Sequence, residues 1–309
     1  MQTTAVLKPC LFSVSYAGFW GQAALTVEEF IARAGKLGFA SVMLAGKRPH
    51  LSPLDATPER LEKIQAALRE AGVTCDVIAG YTNLGSGTAA EVPIGEIQIA
   101  YVESLCRIAA VLGADVVRIF TAYETGDRDP ATLSRRVVSI TREMCDRARD
   151  HRVMIAIQNH HDLALDTDAL LDLIAEIDRP NCKLGFDAWS PALRGEDLCA
   201  AAKKAAPLTA ITTNADYVCI PRWRYRPELV NYERQTPDEV RAVPFGTGFI
   251  DYAAFFRGLL EGGYNGPATY EICSPIRGGG SIENLDTCAR SYLDWLKRGG
   301  AEKPSGQCE

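Results

Sequence analysis

The chain has 309 residues, 47% hydrophobic and 23% charged, a balance that fits one large globular unit and excludes an extended disordered chain. A net charge of −6 and a pI near 5.4 argue against a phosphate-backbone partner, so no nucleic acid is expected. The ten cysteines are scattered without a CxxC pair, no apolar run reaches the length of about 18 residues that a membrane helix needs, and residues 1–18 lack a signal-type apolar core, so a cytoplasmic protein without membrane contact is expected.

Taken in order, short apolar runs alternate with helical stretches. The first run, CLFSVSY (10–16), is followed by the capping-box pattern Thr26-Val-Glu-Glu29 and a helix ending at Gly38. SVMLAG (41–46) precedes a helix opened by Thr57-Pro58-Glu59 and closed by Gly72. VTCDVIAG (73–80) precedes a long helix near 95–112, and DVVRIFTA (115–122) one near 130–149. VMIAIQN (153–159) leads to a helix capped near Asp166, and KLGFDAW (183–189) to a short helix near 196–206. LTAITTNADYV (208–218) leads through a long connection, 219–248, to a helix near 251–261; ATYEIC (268–273) leads to a last helix near 282–298. Eight strand–helix units with non-alternating apolar strands predict a (β/α)8 barrel filling residues 1–309, with a doubly wound sheet as the weaker reading. The 219–248 connection predicts a lid over the mouth or a contact in a homo- or hetero-oligomer.

Barrel enzymes carry their reactive groups where strands end and the following loops begin. At those positions lie Ser15 and Tyr16, then Lys47, Arg48 and His50, then Tyr81, then Thr121, Tyr123 and Glu124. Beyond them come Gln158 through Asp162, Asp187 and Trp189, Thr213, Asn214 and Asp216, and Glu271. Three of the four histidines, His50, His160 and His161, fall on this rim. Asp187 and Glu271 sit in otherwise apolar strands, where a carboxylate needs a cation or strong donors; a divalent ion, Mn, Mg or Co, is an economical partner, and ion pairs bracing the barrel are the alternative.

The segments KRPHLSPLD, IQNHHD, GFDAWSP, VPFGTGFIDYAAFF and YEICSPIRGGGSIENLD resemble the sugar phosphate isomerase/epimerase superfamily, the xylose-isomerase-like barrels, over nearly the whole chain. The resemblance implies one divalent metal held from strands five to eight, usually by Glu, Asp, His and Glu. By position that set becomes Gln158, Asp187, Asn214 (or Thr213) and Glu271, which departs from the pattern at strands five and seven. Gln158 cannot exchange a proton near neutral pH. A base is then expected from His160, which shares the strand parity of Gln158, with Glu271 on the metal and His50 as counterpart. His160 as a metal ligand is the other reading. Lys47, Trp189, Arg277 and Tyr16 are expected to hold substrate, with the Gly278–Gly280 loop closing over it.

The function this implies is metal-assisted removal of a proton α to a carbonyl of a keto-sugar or cyclitol, leading to isomerisation or epimerisation. β-Elimination at the same site is one alternative and a non-catalytic subunit of a sugar-processing complex another. A nuclease on abasic DNA would need more ligands and a basic groove than four histidines and this charge supply.

Overall fold

Apolar runs flanked by well-capped helices have one economical arrangement, parallel strands buried on both faces. In the computed structural model, which describes residues 7–85, 91–123 and 129–298, that arrangement closes into a barrel. Its strands are β1 (Lys8–Phe12), β2 (Ser41–Ala45), β3 (Thr74–Ala79), β4 (Val116–Ile119), β5 (Met154–Gln158), β6 (Cys182–Asp187) and β7 (Thr209–Asn214). An antiparallel hairpin of β8 (Asp216–Arg226) and β9 (Asn231–Val243) follows, and β10 (Pro267–Tyr270) closes the ring between β7 and β1.

The helices are α1 (Val27–Leu37), α2 (Pro58–Ala71), α3 (Ile94–Leu112), α4 (Pro130–Asp150), α5 (Thr167–Ile177), α6 (Trp189–Leu193), α7 (Leu198–Ala205), α8 (Tyr252–Glu261) and α9 (Ile282–Lys297). Their starts are set by side chains read from the sequence. Thr26 accepts from the Glu29 amide while Glu29 accepts from the Thr26 amide, and Thr57, Asp166 and Ser281 cap α2, α5 and α9. None of the helices among the described residues is long and apolar enough to cross a membrane.

Strand alternation sorts side chains into two cores. Cys10, Phe12, Val14, Met43, Ala45, Val77, Ala79, Val116, Ala156 and Ile211 fill the lumen, whereas Leu11, Val42, Leu44, Ile78, Val117, Ile119, Ile155, Ile157, Leu184 and Phe186 pack under the helices. Continued to the C-terminal ends of the strands, the same parity sends Arg118, Gln158, Asp187, Thr213 and Glu271 into the lumen. It sends Asn214 outward with Thr212, whose hydroxyl donates to the Asn214 amide oxygen at 3.2 Å.

Two elements differ from their expected form. The first apolar run ends as a strand at Phe12 and turns into a 3-10 segment over Ser13–Tyr16, because the Ser13 and Ser15 hydroxyls accept from the Ala45 and Ile272 amides of neighbouring segments. The 219–248 connection is not an irregular loop. Tyr217 and Val218, read as the end of strand seven, already belong to the hairpin. The hairpin's outer part is exposed, with Trp223 59%, Tyr232 62% and Val230 80% accessible, while Tyr217 and Val240 at its base face the barrel mouth. The base is pinned by Asp216. Its carboxylate accepts from the Tyr217, Gly246 and Gly248 amides at 3.0, 3.0 and 2.7 Å, and a side chain at Gly248 would collide with it, which accounts for the Gly-Thr-Gly turn.

Candidate active site

A cavity of about 360 Å³ opens at the C-terminal end of the barrel. One wall carries Arg118, Phe120, Gln158, His160, His161, Trp189, Tyr217, Glu271 and Cys273; the other is Phe12, Val14, Trp20 and Tyr81. A second hollow of about 350 Å³ shares Tyr81, Phe120, Tyr123 and His161 with it and continues towards Asn83 and Gln98.

The polar wall is built around Asp187 at the end of β6. Its Oδ2 accepts from Gln158 Nε2 at 2.9 Å and from the Thr213 hydroxyl at 3.4 Å, and its Oδ1 accepts from the Trp189 amide at 2.7 Å. The Asn159 side chain grips the same residue's backbone, accepting from the Asp187 amide at 2.7 Å and donating to its carbonyl at 2.8 Å. Burial nonetheless pushes Asp187 up to about 6. Glu271 lies one residue beyond β10, its amide bonded to the Asn214 carbonyl at 3.0 Å. Burial, and then the charge of Asp187, push its carboxyl up to about 8, with Arg118 and Cys273 opposing. The Cys273 sulfur is in turn 2.9 Å from the Tyr217 hydroxyl.

His160 and His161 both reach the cavity. His161 has φ +70°, a left-handed turn that swings it back against Phe120 and Tyr123, with ring centroids at 4.4 and 3.9 Å, rather than away as strand parity alone implies. His160 Nδ1 accepts from the His161 amide at 2.8 Å. That bond places the proton of the neutral ring on Nε2, so His160 offers the cavity a donor rather than a lone pair. Burial and then Arg118 lower His160 to about 4, keeping it neutral.

Several expected site residues stand elsewhere. His50 is buried, its Nδ1 2.9 Å from the Ser13 hydroxyl and its Nε2 3.2 Å from the Leu25 carbonyl. Because the Leu25 carbonyl can only accept, the neutral ring carries its proton on Nε2 and the Ser13 hydroxyl donates to Nδ1, so the ring braces two loops with both nitrogens occupied, facing Phe30. Tyr16 points into the helix layer and donates to Asp286 of α9 at 3.0 Å. Lys47 lies over the rings of Tyr81 and Phe19, at 3.7 and 4.5 Å from their centroids, on the rim. Arg277 is exposed and does not line the cavity. The glycine loop after it turns its Arg277 and Gly279 carbonyls onto the Asn284 amide at 3.0 and 2.7 Å and packs its Gly280 carbonyl on the Ala23 amide at 2.7 Å. Glu124 falls outside the described residues.

Of the positions expected to hold a metal, Gln158, Asp187 and Glu271, with Thr213, lie together on the lumen side, and Asn214 does not join them. Asn214 faces α9, donating to the Thr269 carbonyl at 3.0 Å and to the Tyr292 hydroxyl at 3.3 Å. Gln158 aims an N–H, not an oxygen, at Asp187. Among the described residues no three His, Cys, Asp or Glu side chains are placed to hold a metal ion. The oxygens left at the expected place are those of Asp187 and Glu271 and the unpartnered Gln158 Oε1.

The site also contains a residue that the motif-based reading passed over. Arg118, third in β4 and 1% exposed, projects into the lumen at the floor of the cavity. An arginine at lumen parity inside DVVRIF is the signal that could have found it. Tyr217 and Cys273 were passed over likewise, as neighbours of residues already chosen.

Comparison with known proteins places this geometry. No curated protein matches the chain by sequence. Solved structures do match in fold. A D-allulose 3-epimerase from Methylomonas sp. superposes with a TM-score of 0.72 at 17% identity, covering 95% of this chain and 98% of that one. The probable 3-DHS dehydratase of petrobactin synthesis from Bacillus anthracis gives 0.70 at 15%, over 94% and 99%. A xylose isomerase-like TIM barrel protein from Mycobacterium smegmatis in complex with magnesium gives 0.67 at 18%, over 96% and 98%. The family model for xylose isomerase-like TIM barrels matches residues 31–298, and the chain belongs to that family.

Proposed function

We propose that the chain is an enzyme that moves a proton α to the carbonyl of a keto-sugar or cyclitol, working from one face of the substrate with Glu271 as the base. Its products are those of isomerisation or of β-elimination. The observation that carries this reading is the pairing of Glu271 with Gln158 across one cavity. Glu271 is a lumen carboxyl held near neutrality, whereas the place of a second carboxylate is taken by an amide that cannot take a proton. Epimerisation by two bases needs an acid–base group on each face, and across the cavity from Glu271 that place is held by Gln158.

The remaining residues fall into supporting roles. His160 Nε2–H points a neutral donor at the carbonyl oxygen, where charge grows as the proton leaves. Asp187, fixed by Gln158, Thr213, Trp189 and Asn159, holds the Trp189 ring against the cavity and keeps negative charge beside Glu271, raising its basicity. The lyase outcome has support from the dehydratase and the isomerase outcome from the epimerase among the similar folds, both as analogy. The test is a panel of keto-sugars and inososes incubated in deuterated water. Exchange of one α-proton, lost in Glu271→Gln, supports the reading; a panel without exchange counts against it.

A further inference from the structure

Arg118 is the largest fully buried side chain among the described residues, and the proton transfer proposed above gives it no task. Its Nη1 donates to the Gly80 carbonyl at 2.9 Å, its Nε has no partner, and it forms no ion pair among the described residues. Its guanidinium lies 4.0 Å from the Phe120 ring centroid, 5.1 Å from that of Tyr81 and 5.6 Å from that of Phe12. Its stem lies beside Gly185 on β6, where an added Cβ would meet Arg118 Cγ at 3.5 Å, an ordinary contact. A buried guanidinium with an open donor is expensive to keep unless something anionic completes it. Arg118 lines the cavity, so a ligand bound there can supply the completing group.

Resting on the proposed function, we propose that Arg118 reads an anionic group of the substrate, and that the substrate is a hydroxylated ring carbonyl compound carrying a carboxylate. A carboxylate fits better than a phosphate. One guanidinium balances one negative charge, and the second charge of a dianion would sit uncompensated beside Glu271, which already feels Asp187. The aromatic rings around Arg118 offer flat apolar faces to a ring and little to an open chain of hydroxyls. Lys47 at the rim adds a second positive charge on the way in.

The experiment is calorimetric titration of the wild-type chain with matched acid and methyl-ester pairs on five- and six-membered hydroxylated rings, shikimate and its ester among them, with inorganic phosphate in parallel. At least one acid is expected to bind about tenfold or more tighter than its ester. Arg118→Gln is expected to remove that ratio and Arg118→Lys to keep part of it, each variant checked for its fold by circular dichroism. No acid preferred over its ester in the wild type, a preference that survives in folded Arg118→Gln, or phosphate binding tighter than every acid would each overturn the proposal. The wild-type ratio decides the matter even if Arg118→Gln does not fold. Binding requires no turnover, so failure to find α-proton exchange leaves this test intact. Conversely, exchange on neutral keto-sugars without any acid preference overturns the role of Arg118 alone.

Discussion

The two walls of the barrel mouth are made from the same kind of strand end and carry opposite chemistry. The wall from β4 to β7 and β10 gathers Arg118, Gln158, His160, Asp187, Thr213 and Glu271 into one bonded or electrostatically coupled group. On the wall from β1 to β3, the polar residues Tyr16 and His50 are turned into the helix layer or between loops, Lys47 lies on aromatic rings, and Phe12, Val14, Trp20 and Tyr81 face the cavity. The difference teaches that a polar residue at a strand end is recruited to the cavity only if its parity points inward and no neighbour claims its hydrogen bonds first. It also gives the cavity a reactive side and a side that only shapes the substrate.

The largest effect expected from breaking this asymmetry is at Glu271. Glu271→Gln should lower kcat by about 10²–10⁴-fold with the fold intact, as measured by steady-state kinetics beside circular dichroism. His160→Gln should cost about 10²-fold in kcat, the scale for removing one donor to a developing oxyanion, with a smaller change in KM. An unchanged kcat would take His160 out of the mechanism.

The pH dependence sharpens the same contrast. Because Glu271 must be ionised to act and is held up to about 8, the rate should rise towards that pH and flatten above it. The same shift has a stability consequence. A carboxyl raised above its unfolded value stabilises the fold below that value, and the contribution is lost as pH rises through about 8. The melting temperature of Glu271→Gln should therefore gain on wild type between pH 5 and pH 9; a constant difference would deny that Glu271 is strained by burial.

On the opposite wall, His50→Ala should lower the melting temperature, since a buried bonded ring is lost, by about 1–3 kcal/mol of stability, and leave kcat within about twofold. A collapse of kcat in the folded variant would return His50 to the reaction. The smallest effect is expected for Arg277→Ala, exposed and off the cavity, which should leave KM unchanged.

Much of the frame was legible in the sequence because it rests on local rules. Caps at Thr26, Thr57, Asp166 and Ser281 mark helix starts, and apolar runs between them have only one economical packing. Asp187 and Glu271 were legible as lumen carboxylates for the same reason, each being charged at lumen parity in a buried strand. Asn214 was misread because a change of one position reverses the face, and the parity had not been counted from the strand's lumen residues. Tyr16 was misread because the strand ends at Phe12 and a 3-10 turn carries Tyr16 into the helix layer. His50 could not be assigned from the sequence, since its fate depends on Ser13 and Leu25 arriving from other segments. Arg118 was open to view yet overlooked, because motifs drew the reading to loops while this residue lies within a strand.

The central claim is that one carboxyl on one wall carries the proton. The most direct measurement is the stereochemistry of solvent deuterium incorporation, followed by NMR during turnover of a substrate found in the panel. The account predicts that a single α-position exchanges from a single face, and that Glu271→Gln abolishes the exchange while binding persists. Deuterium entering from both faces, or exchange at the wild-type rate in Glu271→Gln, would contradict it.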